Sequence, residues 1–171
     1  MADEWFETFF EEVYPEYWTA WEGLGPERTE KEASFAVQAL GIEPPARVLD
    51  LCCGHGRHSI WLARKGFQVT GVDLTGRFLE MGQQAAEQEG LAVRWVECDM
   101  RRIDFESEFD AAISMFTSFG YFEEEEDNVE VLRRLRRALR PGARALFDLP
   151  SRDALMTRYT DCDVREGPNG S

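Results

Sequence analysis

The order of apolar and polar positions divides the chain into alternating helices and strands. Residues 3–22 carry Trp5, Phe6, Phe9, Phe10, Val13, Tyr14, Tyr17, Trp18 and Trp21, a spacing that predicts an amphipathic helix with a wide aromatic face, interrupted near Pro15. A second helix is predicted from Thr29, because Thr29 and Glu32 have capping-box spacing; Phe35, Val37 and Leu40 follow and Gly41 ends it. Ala46 to Leu51 reads as a short buried strand that runs into Cys52-Cys53-Gly54-His55-Gly56. Arg57 to Lys65 is a helix ending at Gly66, and Phe67 to Asp73 a second strand. Thr75 is placed to N-cap a helix reaching about Glu89, with Gly90 as its stop. Ala92 to Cys98 and Phe109 to Ser114 give two more strands. Residues 123–140 form a helix with acids in its first turn and Arg133, Arg134, Arg136, Arg137 and Arg140 toward its end, both favoured by the helix dipole. Pro141-Gly142 is expected to end it, before a fifth strand from Ala143 to Leu149. Strands separated by helices imply right-handed crossovers: an α/β fold with a doubly wound, mainly parallel sheet and helices on both faces.

Composition narrows the class. The 171 residues suit one domain, with a helical segment at 1–45, a core at 46–150 and a short tail at 151–171. Acidic side chains number 33 against 19 basic, a net charge of −14, which disfavours a broad phosphate-binding surface. The arginines of helix 123–140 are explained by the dipole, so nucleic acid is not an expected partner. No apolar run approaches the ~20 residues of a membrane span, and the first residues lack a basic leader region. Cys52, Cys53, Cys98 and Cys162 form no spaced framework, so they read as reduced thiols in a cytoplasmic protein. Cys52, Cys53, His55 and His58 stand too close together for an ordinary zinc site, and no metal is expected.

In a doubly wound sheet, ligands sit beyond the carboxyl ends of the strands, where strand order reverses. The first strand ends in Asp50-Leu51-Cys52-Cys53-Gly54-His55-Gly56, whose glycines permit a tight turn and close approach of a ligand to the backbone. The second ends in Asp73, 23 residues after Asp50, where an acid can bind both hydroxyls of a ribose. The third ends in Cys98-Asp99-Met100, a carboxylate able to accept from an exocyclic amine beside an apolar Met. The fourth ends in the aromatic loop Met115-Phe116-Thr117-Ser118-Phe119-Gly120-Tyr121.

VLDLCCGHGRH, VTGVD, ECDM, FDAAISMFTSFGYF and LRPGARALFDLP, in this order, resemble the class I S-adenosylmethionine-dependent methyltransferases over roughly residues 28–150. The resemblance implies a Rossmann-like fold and methyl transfer from S-adenosylmethionine to a small-molecule O, N or C nucleophile, leaving S-adenosylhomocysteine. It gives Asp50 the role of orienting the glycine loop, and puts Cys52, Gly54 and Gly56 around the methionine part of the cofactor. Asp73 takes the ribose, Leu74 lies beside the adenine, and Asp99 with Met100 recognises the ring. Met115 offers a backbone carbonyl to the cofactor's amino group, and Arg28 reaches its carboxylate. Cys52 departs from the pattern, because the family usually has Gly there. No base stands out; Tyr14, Tyr17, His55, His58 and Tyr121 are candidates by residue type.

The family sheet has seven strands, and the 21 residues after Pro150 do not hold the last two and their helix. The chain therefore reads as a core of about five strands lacking its C-terminal part, with strand five as an exposed edge that a homodimer or a partner chain would cover. Two other functions fit parts of the pattern. One is a cofactor-binding module without turnover. The other is an NAD-dependent oxidoreductase domain, which predicts Gly at the position of Ser59 and leaves Asp50 and the Asp99-Met100 pair unexplained.

Overall fold

A computed structural model describes residues 5–10 and 25–158. Within it, α1 (Trp5–Thr8) is followed by α2 (Pro26–Leu40), β1 (Arg47–Leu51), α3 (Arg57–Arg64), β2 (Gln68–Asp73), α4 (Gly76–Gln88), β3 (Val93–Glu97), β4 (Phe109–Ser114), α5 (Glu125–Ala138), β5 (Leu139–Phe147) and α6 (Arg152–Arg158). The strands form one parallel sheet in the order β3-β2-β1-β4-β5. The chain winds outward through β1, β2 and β3, then restarts on the other side of β1, so the switch point lies between β1 and β4. Tyr14, Tyr17, Trp18, Trp21 and Cys162 lie outside the described residues.

The sheet divides two apolar layers. Leu49, Val72 and Ala112 face Val131, Leu135 and Ala138 of α5. Val48, Val69, Ala111 and Ile113 point the other way, onto Ala36 and Leu40 of α2 and Leu62 of α3. β1 is buried from Val48 onward, as a central parallel strand covered on both faces must be.

Two boundaries differ from those the sequence predicts. α2 begins at Pro26 with Gly25 as its cap, so Thr29 is not a capping residue. Proline at the first helical position has the right φ and lacks a donor that the helix would leave unpaired. Thr29 instead points its hydroxyl back to the Gly25 carbonyl at 3.4 Å, and Glu32 turns to Arg28, Arg57 and His58. At the far end of the sheet, α5 stops at Ala138 and Leu139 is already extended and paired with Phe109. The pairing then skips to Arg144 opposite Ala111, so Pro141-Gly142 sits in a bulge of β5 rather than at a helix end. A proline lacks the ladder donor, and an edge strand with a bulge tolerates that.

Trp95 on β3 explains three glycines at once. A Cβ at Gly56 would lie 2.2 Å from the indole, one at Gly71 2.9 Å and one at Gly82 2.8 Å. The start of α3, the middle of β2 and the body of α4 thus close around one ring. Gly56 also needs a left-handed backbone, with φ 77. Gly56→Ala is expected to destabilise the protein by about 3 kcal/mol, from backbone strain plus overpacking, read as a shift in urea denaturation followed by tryptophan fluorescence. An unchanged midpoint would mean that the turn does not pack on Trp95.

Candidate functional site

A cavity of about 520 Å³ opens beyond the carboxyl ends of the strands at the switch point. Of the residues expected to bind a cofactor, Asp50, Cys52, Gly54, Asp73, Leu74, Asp99, Met100 and Met115 line it; Arg28 and Gly56 do not. Gly56 stands behind the wall, occupied with Trp95. Arg28 pairs with Glu32 at 2.7 Å and lies 5.5 Å from the centre of the Phe116 ring.

The loops after β1 and β2 are tied together by Asp73. One carboxylate oxygen accepts the Gly54 N–H at 2.7 Å, and the other accepts the Thr75 N–H at 3.0 Å. Burial raises this carboxyl above its usual range, and the backbone donors oppose the rise. Gly54 has φ 56, and a Cβ there would meet no protein atom within 4 Å, so hydrogen at this position keeps cavity space clear. Cys52, the departure from the family's Gly, adopts φ 59 despite its side chain. The turn has kept its left-handed shape, at a cost of roughly 1–2 kcal/mol. The Cys52 thiol donates to Met100 Sδ at 3.5 Å. Burial, with Asp73 and Asp50 nearby, pushes the Cys52 thiol up, and burial does the same at Cys53, so neither is a thiolate nucleophile.

Behind the turn, buried Asp50 accepts the Ser59 hydroxyl at 2.7 Å. The acid at the end of β1 is thereby locked to the first turn of α3, which gives Ser59 a function that Gly could not perform. Asp99 is gripped by Arg101, whose Nη2 lies 2.6 Å from one carboxylate oxygen and whose backbone N–H donates to the other at 2.8 Å. The Met115 carbonyl accepts the Ser118 hydroxyl at 3.1 Å. Beyond it, Phe116 and Thr117 are both left-handed, with φ 63 each, an unusual strain for consecutive residues with side chains. Asp148, just past β5, holds this turn: its carboxylate accepts the Phe116 N–H at 3.2 Å and its carbonyl accepts the Thr117 N–H at 2.9 Å.

Several lining residues carry no mark in the sequence-level reading. Arg57 opens α3 and lines the cavity, with Nη1 on the Thr29 hydroxyl at 3.1 Å and Nη2 2.6 Å from Glu32. Its signal was present, since a cation directly after the glycine turn stands at the mouth of the crevice. Phe6, Phe9 and Phe10 of the α1 region line the cavity together with Phe116, Tyr121 and Phe122. The N-terminal aromatics therefore form part of the wall. Among the candidate bases, His55, His58 and Tyr121 line it. His58 is bound to Glu32 at 3.0 Å, and burial lowers its imidazole to about 4. Burial raises Tyr121 above its usual value. Among the described residues, no three His, Cys, Asp or Glu side chains gather as metal ligands, and no helix is long and apolar enough to cross a membrane.

The family profile described as "Methyltransferase domain" matches residues 48–142. The chain belongs to this methyltransferase family. The YqeM protein of Bacillus subtilis (strain 168) is 39% identical over 116 residues, covering 67% of this chain and 47% of that protein. The 2-phytyl-1,4-naphtoquinone methyltransferase of Trichormus variabilis is 35% identical over 145 residues, 80% of this chain and 60% of that one. The methyltransferase domain thus spans about half the length of the curated relatives it matches. In three dimensions it resembles the sugar N-methyltransferase KedS8 of Streptoalloteichus, with a TM-score of 0.66 at 22% identity over 82% of this chain and 54% of that one. A S-adenosylmethionine-dependent methyltransferase of Clostridium acetobutylicum superposes with the same score, 0.66, at 18% identity, covering 85% of this chain and 56% of that one. The five-stranded parallel sheet and its flanking helices are the Rossmann-like class I arrangement.

The site also gives the methyltransferase domain a distinctive titration. Burial raises Asp50 from 3.8 to about 6. Between those values the folded protein keeps a proton that the unfolded chain has released, so Asp50 subtracts stability as pH rises. His58, lowered from 6.5 to about 4, does the reverse: the unfolded chain takes up the proton first, so His58 adds stability as pH rises through the same window. Asp50→Asn removes the first slope and leaves the second. Its stability is expected to climb between about pH 4 and 6 by about 3 kcal/mol more than that of the wild type, measured by urea denaturation across pH. Parallel pH curves would mean that Asp50 ionises normally in the fold.

Proposed function

We propose that this chain binds S-adenosylmethionine in the cavity at the switch point and transfers its methyl group to a small-molecule O, N or C nucleophile. The observation that carries this reading is the convergence of Asp73, Gly54 and Asp99 on one cavity at the position where the fold binds ligands. The space kept clear beside Gly54 fits a cofactor lying against the backbone. When bound, S-adenosylmethionine supplies an electrophilic methyl group on a sulfonium. The chain's own residues position the partners. Asp73 takes the ribose hydroxyls. Leu74 and Met100 flank the adenine, with Asp99 at its edge. Asp50 holds the glycine loop through α3, Cys52 lies along the methionine chain, and the Met115 carbonyl accepts from its amino group. Arg57, rather than Arg28, takes its carboxylate.

The aromatic wall of Phe6, Phe9, Phe10 and Tyr121 excludes water and orients the acceptor, which is where most of the rate of an in-line displacement arises. A base is needed only when the nucleophile arrives protonated. Reduced thiols and the acidic surface support a cytoplasmic protein without a nucleic-acid partner.

Isothermal titration with S-adenosylhomocysteine is expected to give a micromolar Kd that weakens at least about tenfold in Asp73→Ala, with no binding of NADH. A folded protein that ignores S-adenosylhomocysteine would overturn the reading. Methyl transfer to a panel of acceptors then distinguishes an enzyme from a binding module.

We propose further that the chain forms a homodimer through β5. Among the described residues β5 pairs with β4 and with no other strand, and Leu149 beyond it is exposed. Sedimentation at micromolar concentration is expected to show a dimer; a clean monomer would exclude it.

A further inference from the structure

Asp99 reaches the cavity wall, yet its carboxylate is held from the protein side by a neighbour two residues away. Arg101 donates its backbone N–H to one oxygen at 2.8 Å. Its Nη2 reaches the other oxygen at 2.6 Å, and its Nε is shared between the two, at 2.9 and 3.2 Å. The two side chains are 14% and 11% exposed, so the pair is formed where water competes poorly. Two further contacts fix the arginine. Nη1 donates to Asp127 of α5 at 2.9 Å. The guanidinium lies 4.3 Å from the centre of the Phe122 ring, and that ring packs edge-on against Phe6 at 5.6 Å. Arg101 itself does not line the cavity, whereas Asp99, Phe122 and Phe6 do.

We propose that Arg101 is a positioning residue that sets purine recognition at this site. Its planar fork prevents rotation of the Asp99 carboxylate and offsets the charge that Asp99 brings into the wall. Three N–H groups of Arg101 take up most of the carboxylate's acceptor sites, and the acceptor capacity that remains at the cavity wall is held in a fixed place. A 6-amino purine donates to that remaining acceptor. A 6-oxo purine sets an oxygen against it and is rejected, because two facing acceptors leave a buried polar contact unmade. Lysine could supply the charge but not the fork. The inference rests on the reading that the cavity takes the adenosyl end of S-adenosylmethionine beside Asp99.

The test compares S-adenosylhomocysteine with S-inosylhomocysteine, which replaces the exocyclic amine by oxygen, as titrants of the wild type, Arg101→Ala and Arg101→Lys. The wild type is expected to prefer the amino compound by about tenfold or more, the difference made by one hydrogen bond to a charged group. Both variants are expected to lose most of that preference by binding the amino compound more weakly, while the Kd for the oxo compound moves less than about threefold. The lysine variant retains the charge and keeps the test open if the alanine variant does not fold. Equal weakening of both ligands, or an unchanged preference in a folded variant, would overturn the role of Arg101. A wild type that binds neither ligand would overturn the cofactor reading itself, a result distinct from either.

Discussion

The Asp73 carboxylate is the contact on which the site depends. It accepts from Gly54 after β1 and from Thr75 after β2, so a single side chain sets the spacing of two loops. The backbone adds a second tie, since the Cys53 N–H donates to the Val72 carbonyl at 2.9 Å. Without the acid, the Gly54 N–H would face the cavity unpaired, and the turn that is left-handed at Cys52, Gly54 and Gly56 would lose a tether. Asp73 can do this because β1 and β2 are adjacent parallel strands in strict register, with Leu51 opposite Val72. The sheet thus delivers the carboxyl ends of both strands to the same level.

Behind that contact, a second constraint fixes where the helices start. Trp95 occupies space that Gly56, Gly71 and Gly82 leave open, so α3, β2 and α4 close on one indole. Ser59 then locks buried Asp50 to the first turn of α3. The turn after β1 is therefore held at both ends, by Asp73 in front and by Asp50 and Trp95 behind. A residue with a side chain can keep a left-handed backbone at Cys52 only because the surroundings over-determine it.

Most of the fold was legible in the sequence, because buried parallel strands read as short apolar runs and β1, β2, β3 and β4 are bounded by strong turn residues. The misread boundaries came from local signals with two meanings. Thr29 and Glu32 have capping-box spacing, but Pro26 opens the helix one turn earlier and Glu32 serves a cluster of cations. Pro141-Gly142 resembles a helix stop, yet an edge strand absorbs it as a bulge. At the site, residues at strand ends could be placed from sequence because topology alone puts them together. Arg57 directly follows the glycine turn and was open to the same argument, whereas the Arg101 fork was not, because its position depends on packing against Asp127 and Phe122. Gly56 was assigned to the ligand, whereas its neighbour is an indole 39 residues further along the chain.

The electrostatics of the cavity follow from the same arrangement. Three acids, Asp50, Asp73 and Asp99, line a cavity in a chain of net charge −14. Burial raises Asp50 and Asp73, and the like charge of Asp73 adds to the cost of ionising Asp50. An apolar core would not retain such a group, and the fold compensates in separate ways: backbone donors for Asp73, a hydroxyl for Asp50 and a guanidinium for Asp99. Asp99 alone receives a full counter-charge. Asp50 and Asp73 are left with negative potential that a cationic ligand would relieve, while Arg57 at the start of α3, whose partner Glu32 is shared with Arg28 and His58, offers the complementary charge. A ligand carrying cationic groups and a carboxylate satisfies both ends, and a dianion satisfies neither. That asymmetry, built from hydrogen bonds inside the protein, explains how a strongly acidic chain presents a site suited to a zwitterion with an extra positive charge.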